Sequence, residues 1–477
     1  MIETVLLVLP FALAVVALAL PSDRWRPLIL PIGGGAYLGL AMAVLSAPTR
    51  TIAGGWLALD PLGRLFMLLV GILFLSSSVY AFGYLRYERR LPNRVFCACM
   101  LAFLGSMNVL VWSQHWGLIW VAMEATTLAS APLIYFHRTP RSLEATWKYL
   151  LICSVAIAVA LLGSFFLAYA SLHSRLRPSL LATDLLVAAP LLDRPWLHAA
   201  FALLVVGYGT KMGLAPLHAW LPDAHGEASA PISAVFSGAL LPCALLPILR
   251  AYQLCVAAGD ALFAQRILLV LGLVSMAVAG VFLAGQRDLK RMLAYSSIEQ
   301  MGILAFAIGI GQAATLGALL HMFNSSLAKS VLFLGSGNVY HAYGSKSVPE
   351  VSGVIARLPR TGPLLLAGFF AISGAPPFGT FMSTLTILSG VFGGGWFFAG
   401  GLFLVLLLLV FVGMGATVLS AVQGRPSPRA AASGYRDTVI TWGPMAAMLA
   451  LLVWLGLAVP PGLSNLLHAA ARLLEVQ

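Results

Sequence analysis

Long apolar runs, separated by short polar connections, follow one another from end to end of this chain. Most are about 18–25 residues long, the length an α-helix needs to cross the hydrocarbon core of a bilayer. The pattern predicts an all-α polytopic membrane protein with about 14 transmembrane helices. The expected spans are 2–20, 28–46, 63–84, 95–112, 116–136, 147–170, 197–216, 230–249, 263–285, 292–311, 314–335, 361–391, 396–422 and 439–459. The final stretch, 462–476 (GLSNLLHAAARLLEV), is short and two-faced, so it predicts an amphipathic helix on a surface or against a partner. No polar stretch is long enough for a soluble domain, and 1–477 reads as a single integral membrane domain.

Two of the runs are interrupted. One passes through Lys211-Met212-Gly213-Leu214-Ala215-Pro216 and the other through Ser373-Gly374-Ala375-Pro376-Pro377-Phe378. Proline removes a backbone donor and clashes with the preceding turn, so Pro216, Pro376 and Pro377 predict discontinuous helices. Irregular backbone at membrane depth survives where protein or a water-filled cavity satisfies it. Each break falls in the fourth run of a group of five. That spacing predicts two inverted repeats, 95–249 and 263–422, with an ion path near the membrane midplane.

Composition sharpens this picture. Apolar residues make up 60% of the chain and charged residues 9%, against about 25% charged in soluble proteins. The N-terminus starts directly with an apolar span and lacks a basic leader, so no removed signal peptide is expected. The five cysteines, Cys97, Cys99, Cys153, Cys243 and Cys255, form no CxxC and sit in or beside apolar runs. They read as buried thiols, with no metal site or other cofactor. The net charge of +12 does not signal nucleic acid here, because the basic residues sort by loop. Arg86, Arg89, Arg90, Arg94, Arg138, Arg141, Arg287 and Arg291 fall on one set of alternating loops. By the positive-inside rule that set is cytoplasmic, and both termini face out of a prokaryotic cytoplasmic (inner) membrane, with lipid around the helices.

Three charges lie inside spans: Glu124, Lys211 and Lys329. Each costs about 2.5–3.5 kcal/mol at the bilayer centre by the lower estimates. A chain that keeps three is expected to move an ion, and the expected ion is a proton. The bland alternatives are a neutral structural glutamate, a snorkelling lysine and interhelical hydrogen bonding. On the Lys329 helix, His321, Ser325 and Ser326 fall on roughly the same side and predict a polar relay stripe. After Lys211, His218, Asp223, His225 and Glu227 cluster without any zinc spacing; with Glu299 they are candidate proton inlets. Glu144 and Lys148 are i,i+4 and predict a plain helix ion pair.

Four segments carry a family resemblance: GTKMGLAPLHAWLPDAHGEASAPISA (209–234), QRDLKRMLAYSSIEQMGI (286–303), HMFNSSLAKSVLFLGSGNVYH (321–341) and GAPPFGTF (374–381). They resemble the antiporter-like, proton-translocating membrane subunits of respiratory complex I, membrane-bound NiFe hydrogenases and Mrp-type cation/proton antiporters. The stretch 120–155 is most similar to the F component of hydrogenase-4, a relative of formate hydrogenlyase. The resemblance implies fourteen helices with two inverted five-helix repeats, a Glu124–Lys211 pair, and Lys329 continuing the proton path. It implies partners too: membrane subunits and hydrophilic, Fe–S-containing subunits of a redox complex, with protons, or sodium, as the ion. Two family positions differ here, Pro242 standing for a bridging lysine and Thr384 for a lysine or glutamate. The expected function is a proton-translocating subunit of a hydrogenase-type complex. The rivals are an Mrp-type antiporter subunit, a complex I pumping subunit, and a non-pumping scaffold.

Overall fold

A computed structural model describes residues 2–47, 51–88, 91–172, 179–427, 430 and 433–475. Arg89, Arg90 and position 476 of the expected surface helix lie outside the described residues. The chain is a helix bundle. Its helices are α1 (Ile2–Ala19), α2 (Ile29–Leu45), α3 (Pro61–Tyr87), α4 (Arg94–Trp112), α5 (Trp116–Ile134) and α6 (Pro140–Leu172). Then come α7 (Arg194–Met212), the short α8 (Trp220–Glu227), and α9 (Ala230–Ala257), which contains a π-turn at Phe236–Leu240. Further along come α10 (Ala261–Leu283), α11 (Leu289–Ile310), α12 (Ala313–Tyr343), α13 (Thr361–Ile372), α14 (Gly379–Gly393), α15 (Phe397–Val422), α16 (Val439–Leu457) and α17 (Pro461–Arg472), with short helical turns at Ala182–Ala188 and Val354–Arg357 in the connections.

Among the described residues, 11 helices are long and apolar enough to cross a membrane. The expected fourteen exceeds that number by the runs 197–216, 314–335 and 361–391. Each of the three coincides with helix, but of a different kind. The first two are α7 and α12, made more polar by Lys211 and by the His321–Lys329 stretch. The third is split into α13 and α14 by the break at Ser373–Phe378.

Aspartates start several of these helices. Asp60, Asp193 and Asp288 each accept a backbone N–H from the first turn of α3, α7 and α11. In the interior the helices approach closely where side chains are small, the way packing is achieved where lipid is as apolar as leucine. A Cβ placed on Gly207 of α7 would lie 2.6 Å from the Ala160 Cβ of α6. On α12, Gly317 faces Ile387 of α14, and Gly390 of α14 faces Ala314. Near one end of the bundle, the Asn338 carbonyl accepts hydroxyls from Tyr80 (2.9 Å) and Tyr435 (2.8 Å), and its amide donates to Thr361 (2.9 Å). That residue ties α3, α12 and the start of α13 to the segment before α16.

The two breaks are built alike. At the end of α7, Leu214 N–H bonds to Gly209 O and Gly213 N–H to Thr210 O; after α13, Ala375 N–H bonds to Phe370 O and Gly374 N–H to Ala371 O. This is the paired closing motif of a helix, and it requires a left-handed residue, met by Gly213 (φ 86) and Gly374 (φ 73). Side chains then cover the exposed carbonyls. Trp220 Nε1 donates to Thr210 O at 2.8 Å, and Thr380 Oγ1 donates to Ala371 O. Irregular backbone at depth is thereby satisfied internally. Ala215–Pro216 and Pro376–Pro377 are both cis.

Candidate functional site

Lys211 occupies the last turn of α7 and is fully buried. Its ammonium donates to Thr127 Oγ1 (2.8 Å) and Tyr149 OH (2.6 Å) and lies 4.5 Å from the centre of the Tyr149 ring. Beyond it, Tyr149 shares a 2.7 Å bond with Ser130, whose hydroxyl also reaches Thr126 O at 2.6 Å. Glu124 lies on α5, one turn before Thr127. Its carboxylate accepts from Ser154 (2.7 Å) and, at 3.4 Å, from Thr127. The expected Glu124–Lys211 pair is therefore not a contact pair; the Thr127 hydroxyl stands between the two charges. Helix spacing places Thr127 on the Glu124 face, but nothing in the sequence brings Tyr149 and Ser154 of α6 to the same place.

Lys329 is buried on α12 and donates to Leu293 O of α11 at 3.0 Å. Glu299 of α11 lies within electrostatic reach of it. From Glu299 a chain of bonds runs sideways: Gln300 Nε2 donates to the Glu299 carboxylate (2.7 Å), and Gln300 Oε1 meets His321 Nε2 (2.8 Å). His321 Nδ1 then meets Ser383 Oγ of α14 at 2.9 Å. This corrects two expectations. Ser325 and Ser326 do not join His321: Ser325 bonds within its own helix, and Ser326 Oγ has no partner among the described residues. Glu299, 3% exposed, is no surface inlet but part of the interior.

The proposed inlet cluster also divides. His225 is wholly buried, its ring stacked on Phe333 at 4.7 Å, with both nitrogens unpartnered among the described residues. Phe236 packs against both His225 and Tyr149, on the Lys211 side, and Phe333, on which the ring stacks, lies one turn after Lys329 on α12. His218 is half-buried in the connection after the first break, with its ring toward Tyr295. Asp223 and Glu227 are the surface members. Asp223 pairs with Lys148 (3.1 Å) and Arg291 (3.3 Å), and Glu227 with Lys346 (2.9 Å). Lys148 also keeps its helix partner Glu144 at 2.6 Å. Two cavities of about 300 and 360 Å³ meet at Glu227 and Lys346. The second reaches Lys290, His137 and Glu88, where partial burial pushes the Glu88 carboxyl above its usual range.

Pro242 follows the π-turn of α9, and that backbone offers no charge. Thr384 lines a cavity of about 200 Å³ at the second break. Among the described residues no group of three or more His, Cys, Asp or Glu is placed to hold a metal. All five cysteines are free thiols.

A family model described as NADH:quinone oxidoreductase/Mrp antiporter, transmembrane, matches residues 113–411. The chain belongs to this family. It is an antiporter-like, multi-pass membrane subunit. It is 37% identical to a hydrogenase-4 component F homolog of Methylacidiphilum infernorum, over 86% of each chain. It is 30% identical to NADH-quinone oxidoreductase subunit N of Desulforudis audaxviator, over 89% of this chain and 88% of that one. In fold it matches a chain of the Mrp complex from Dietzia sp. with a TM-score of 0.87, 19% identity, and 98% and 97% of the two chains covered. Antiporter-like subunits of this fold are thus found inside multi-subunit membrane complexes.

Proposed function

We propose that this antiporter-like subunit translocates protons within a membrane-bound, NiFe hydrogenase-type redox complex, along Glu124, Lys211 and Lys329. The observation that carries the reading is the setting of Lys211. Its ammonium is fully buried beside a helix break and is held by two hydroxyls and a ring face, with Glu124 one hydroxyl away. A carboxylate in direct contact favours the charged form of a lysine more than a neutral hydroxyl does. Hydroxyl ligation therefore keeps the lysine in place while leaving its proton easier to remove than a contact ion pair would. His225, whose ring nitrogens have no partner among the described residues, extends the path toward Lys329. The Asp223 and Glu227 cavities supply the inlet.

In this reading the drive comes from outside the chain. Electron transfer in hydrophilic, Fe–S-containing partner subunits changes the local field, and protonation of one buried group lowers the proton affinity of the next. The similarity to a hydrogenase-4 component F homolog supports that choice of complex. The similarity to an NADH-quinone oxidoreductase subunit favours a second reading, a quinone-reducing complex. The redox partner that supports uptake distinguishes them, and exchange with sodium in the absence of any redox partner marks an Mrp-type antiporter. The arginine-rich loops support a cytoplasmic membrane location with both termini outside.

The matching breaks support two inverted repeats, 95–249 and 263–422. In each, the third helix packs on the interrupted fourth, α6 on α7 and α12 on α14. Five spans is an odd number, so the second repeat begins on the opposite side.

The test is redox-driven proton uptake in proteoliposomes holding the whole purified complex, wild type against Lys211→Met. Uptake per electron is expected to fall about tenfold or more, the equivalent of about 1.4 kcal/mol, in a complex that still assembles. Equal uptake in both would leave the chain a membrane scaffold.

A further inference from the structure

We propose that the cleft between α3 and α17 binds one anionic glycerophospholipid, with its phosphate on Arg64 and an acyl chain running along Leu68 and Ile72 toward Phe323. The site goes beyond ion translocation and stands whichever ion the chain moves.

The cleft has a volume of about 800 Å³. Protein interiors hold few voids larger than a water molecule, so a space of this size is no packing fault. Water fills it poorly, because each buried water needs several polar partners and the deep wall is apolar. That wall is made by Leu68 and Ile72 of α3, Phe323 of α12, and Leu451 and Leu455 of α16. The amphipathic α17 closes another side with Leu463, Leu466 and Ala469. This helix packs on α3 and α12 and buries Leu467, Ala470 and Ala471. Leu463 and Leu466 stay half-buried, so its apolar face is only partly used against protein.

The polar groups sit at the mouth. Ser46, Arg64 and Asn465 line the cleft at the membrane face where α2 ends and α3 and α17 begin. Trp454, in the last turn of α16, is exposed at the same face, and tryptophan is enriched at headgroup depth. From Arg64 to Ile72, α3 rises about 12 Å into the bundle. A polar mouth over an apolar depth matches an amphiphile.

Arg64 decides the head. It is the one charged residue among the described ones that line the cleft. Its Nη2 donates to Ala47 O at 3.0 Å, while its Nε has no partner among the described residues. Asp60, one turn earlier, is engaged elsewhere: it accepts the Gly63 N–H at 2.7 Å and lies 3.5 Å from Arg250. A guanidinium presents a planar fork of N–H donors that fits two phosphate oxygens. One uncompensated cation matches a headgroup of one net negative charge, as in phosphatidylglycerol.

The experiment places the whole purified complex in phosphatidylcholine vesicles holding a small fraction of phosphatidylglycerol with a photoactivatable acyl chain. Light attaches the probe to the residues it touches, and mass spectrometry reads the labelled peptides. Labelling is expected on 61–72 and 462–469. Unlabelled phosphatidylglycerol is expected to displace the probe, and phosphatidylcholine is not. Arg64→Gln should lower this labelling about fivefold, the effect of one basic residue at a membrane surface. Ala469→Phe fills the cleft, keeps the charge and should lower labelling at least as far; it serves if Arg64→Gln does not assemble. Equal labelling by phosphatidylglycerol and phosphatidylcholine probes, or an unchanged level in either variant, overturns the site. Labelling of the isolated chain but not of the complex means that a partner subunit covers the cleft, which overturns it too. Labels spread evenly over the lipid-facing helices leave only surrounding lipid and also overturn it.

Discussion

Thr127 is the smallest group with the largest electrical task. One hydroxyl accepts from the Lys211 ammonium and donates toward the Glu124 carboxylate. Thr127→Val keeps the shape and deletes that link. Bonds to charged groups contribute about 1.5–3 kcal/mol each, so uptake per electron should fall about tenfold while the complex assembles at normal yield; an unchanged ratio would show that the charges communicate by another route. At this scale the sequence was a good guide to the charges and a poor guide to their company. Glu124, Lys211 and Lys329 announce themselves because an ionisable group in an apolar run is costly. Tyr149, Ser154, Gln300 and Ser383 do not, since uncharged polar residues are common in membrane helices and their partners depend on packing. The same reasoning explains the misplacement of Glu299 and His225. Glu299 falls inside the run 292–311 and His225 in the connection after the first break, and packing turns both into the interior.

At the scale of elements, α6 and α7 meet through small residues. Gly207 lies one turn before Lys211 on the same face, against Ala156 and Ala160. Gly207→Leu overfills that contact, and overpacking of this kind typically costs about 1–3 kcal/mol. A lower melting temperature of the purified protein is expected, together with weaker uptake, because Lys211 is pushed away from Tyr149. An unaltered melting temperature would mean that the helices part without cost. Each of the fourteen apolar runs has a helix upon it, so the existence of elements was legible from hydrophobic length. The prolines also marked both breaks. What length alone did not give was the division of 361–391 into two helices, or the paired hydrogen bonds that close α7 and α13. Those depend on which carbonyls the backbone leaves free and which side chains come to meet them.

For the whole molecule, the arginine asymmetry predicts an orientation that thiol labelling can read. Four of the five native cysteines are buried and Cys99 is half-buried, so background labelling is low. A membrane-impermeant maleimide should label Asn465→Cys, on α17, from outside intact cells. Arg287→Cys should be labelled only after the membrane is opened. The reverse pattern would turn the protein over and move the Asp223 inlet to the outer face. The expected sidedness rests on charge in loops; the placement of cavities arises instead from contacts between helices far apart in the chain. One such contact fixes more than it first shows. Ala314, Gly317 and His321 of α12 lie along one face, opposite Gly390, Ile387 and Ser383 of α14. The imidazole–hydroxyl contact is thus the third rung of a ladder whose first two rungs each set a glycine against the facing helix, Gly390 on Ala314 and Gly317 on Ile387. Those glycines act as a ruler. A methyl group added at Gly390, two turns from Ser383, would set the length of a hydrogen bond it never meets. Where a misplacement of 1 Å can cost about a hundredfold in rate, the timing of a proton would then be written in the spacing of two residues that have no chemistry at all.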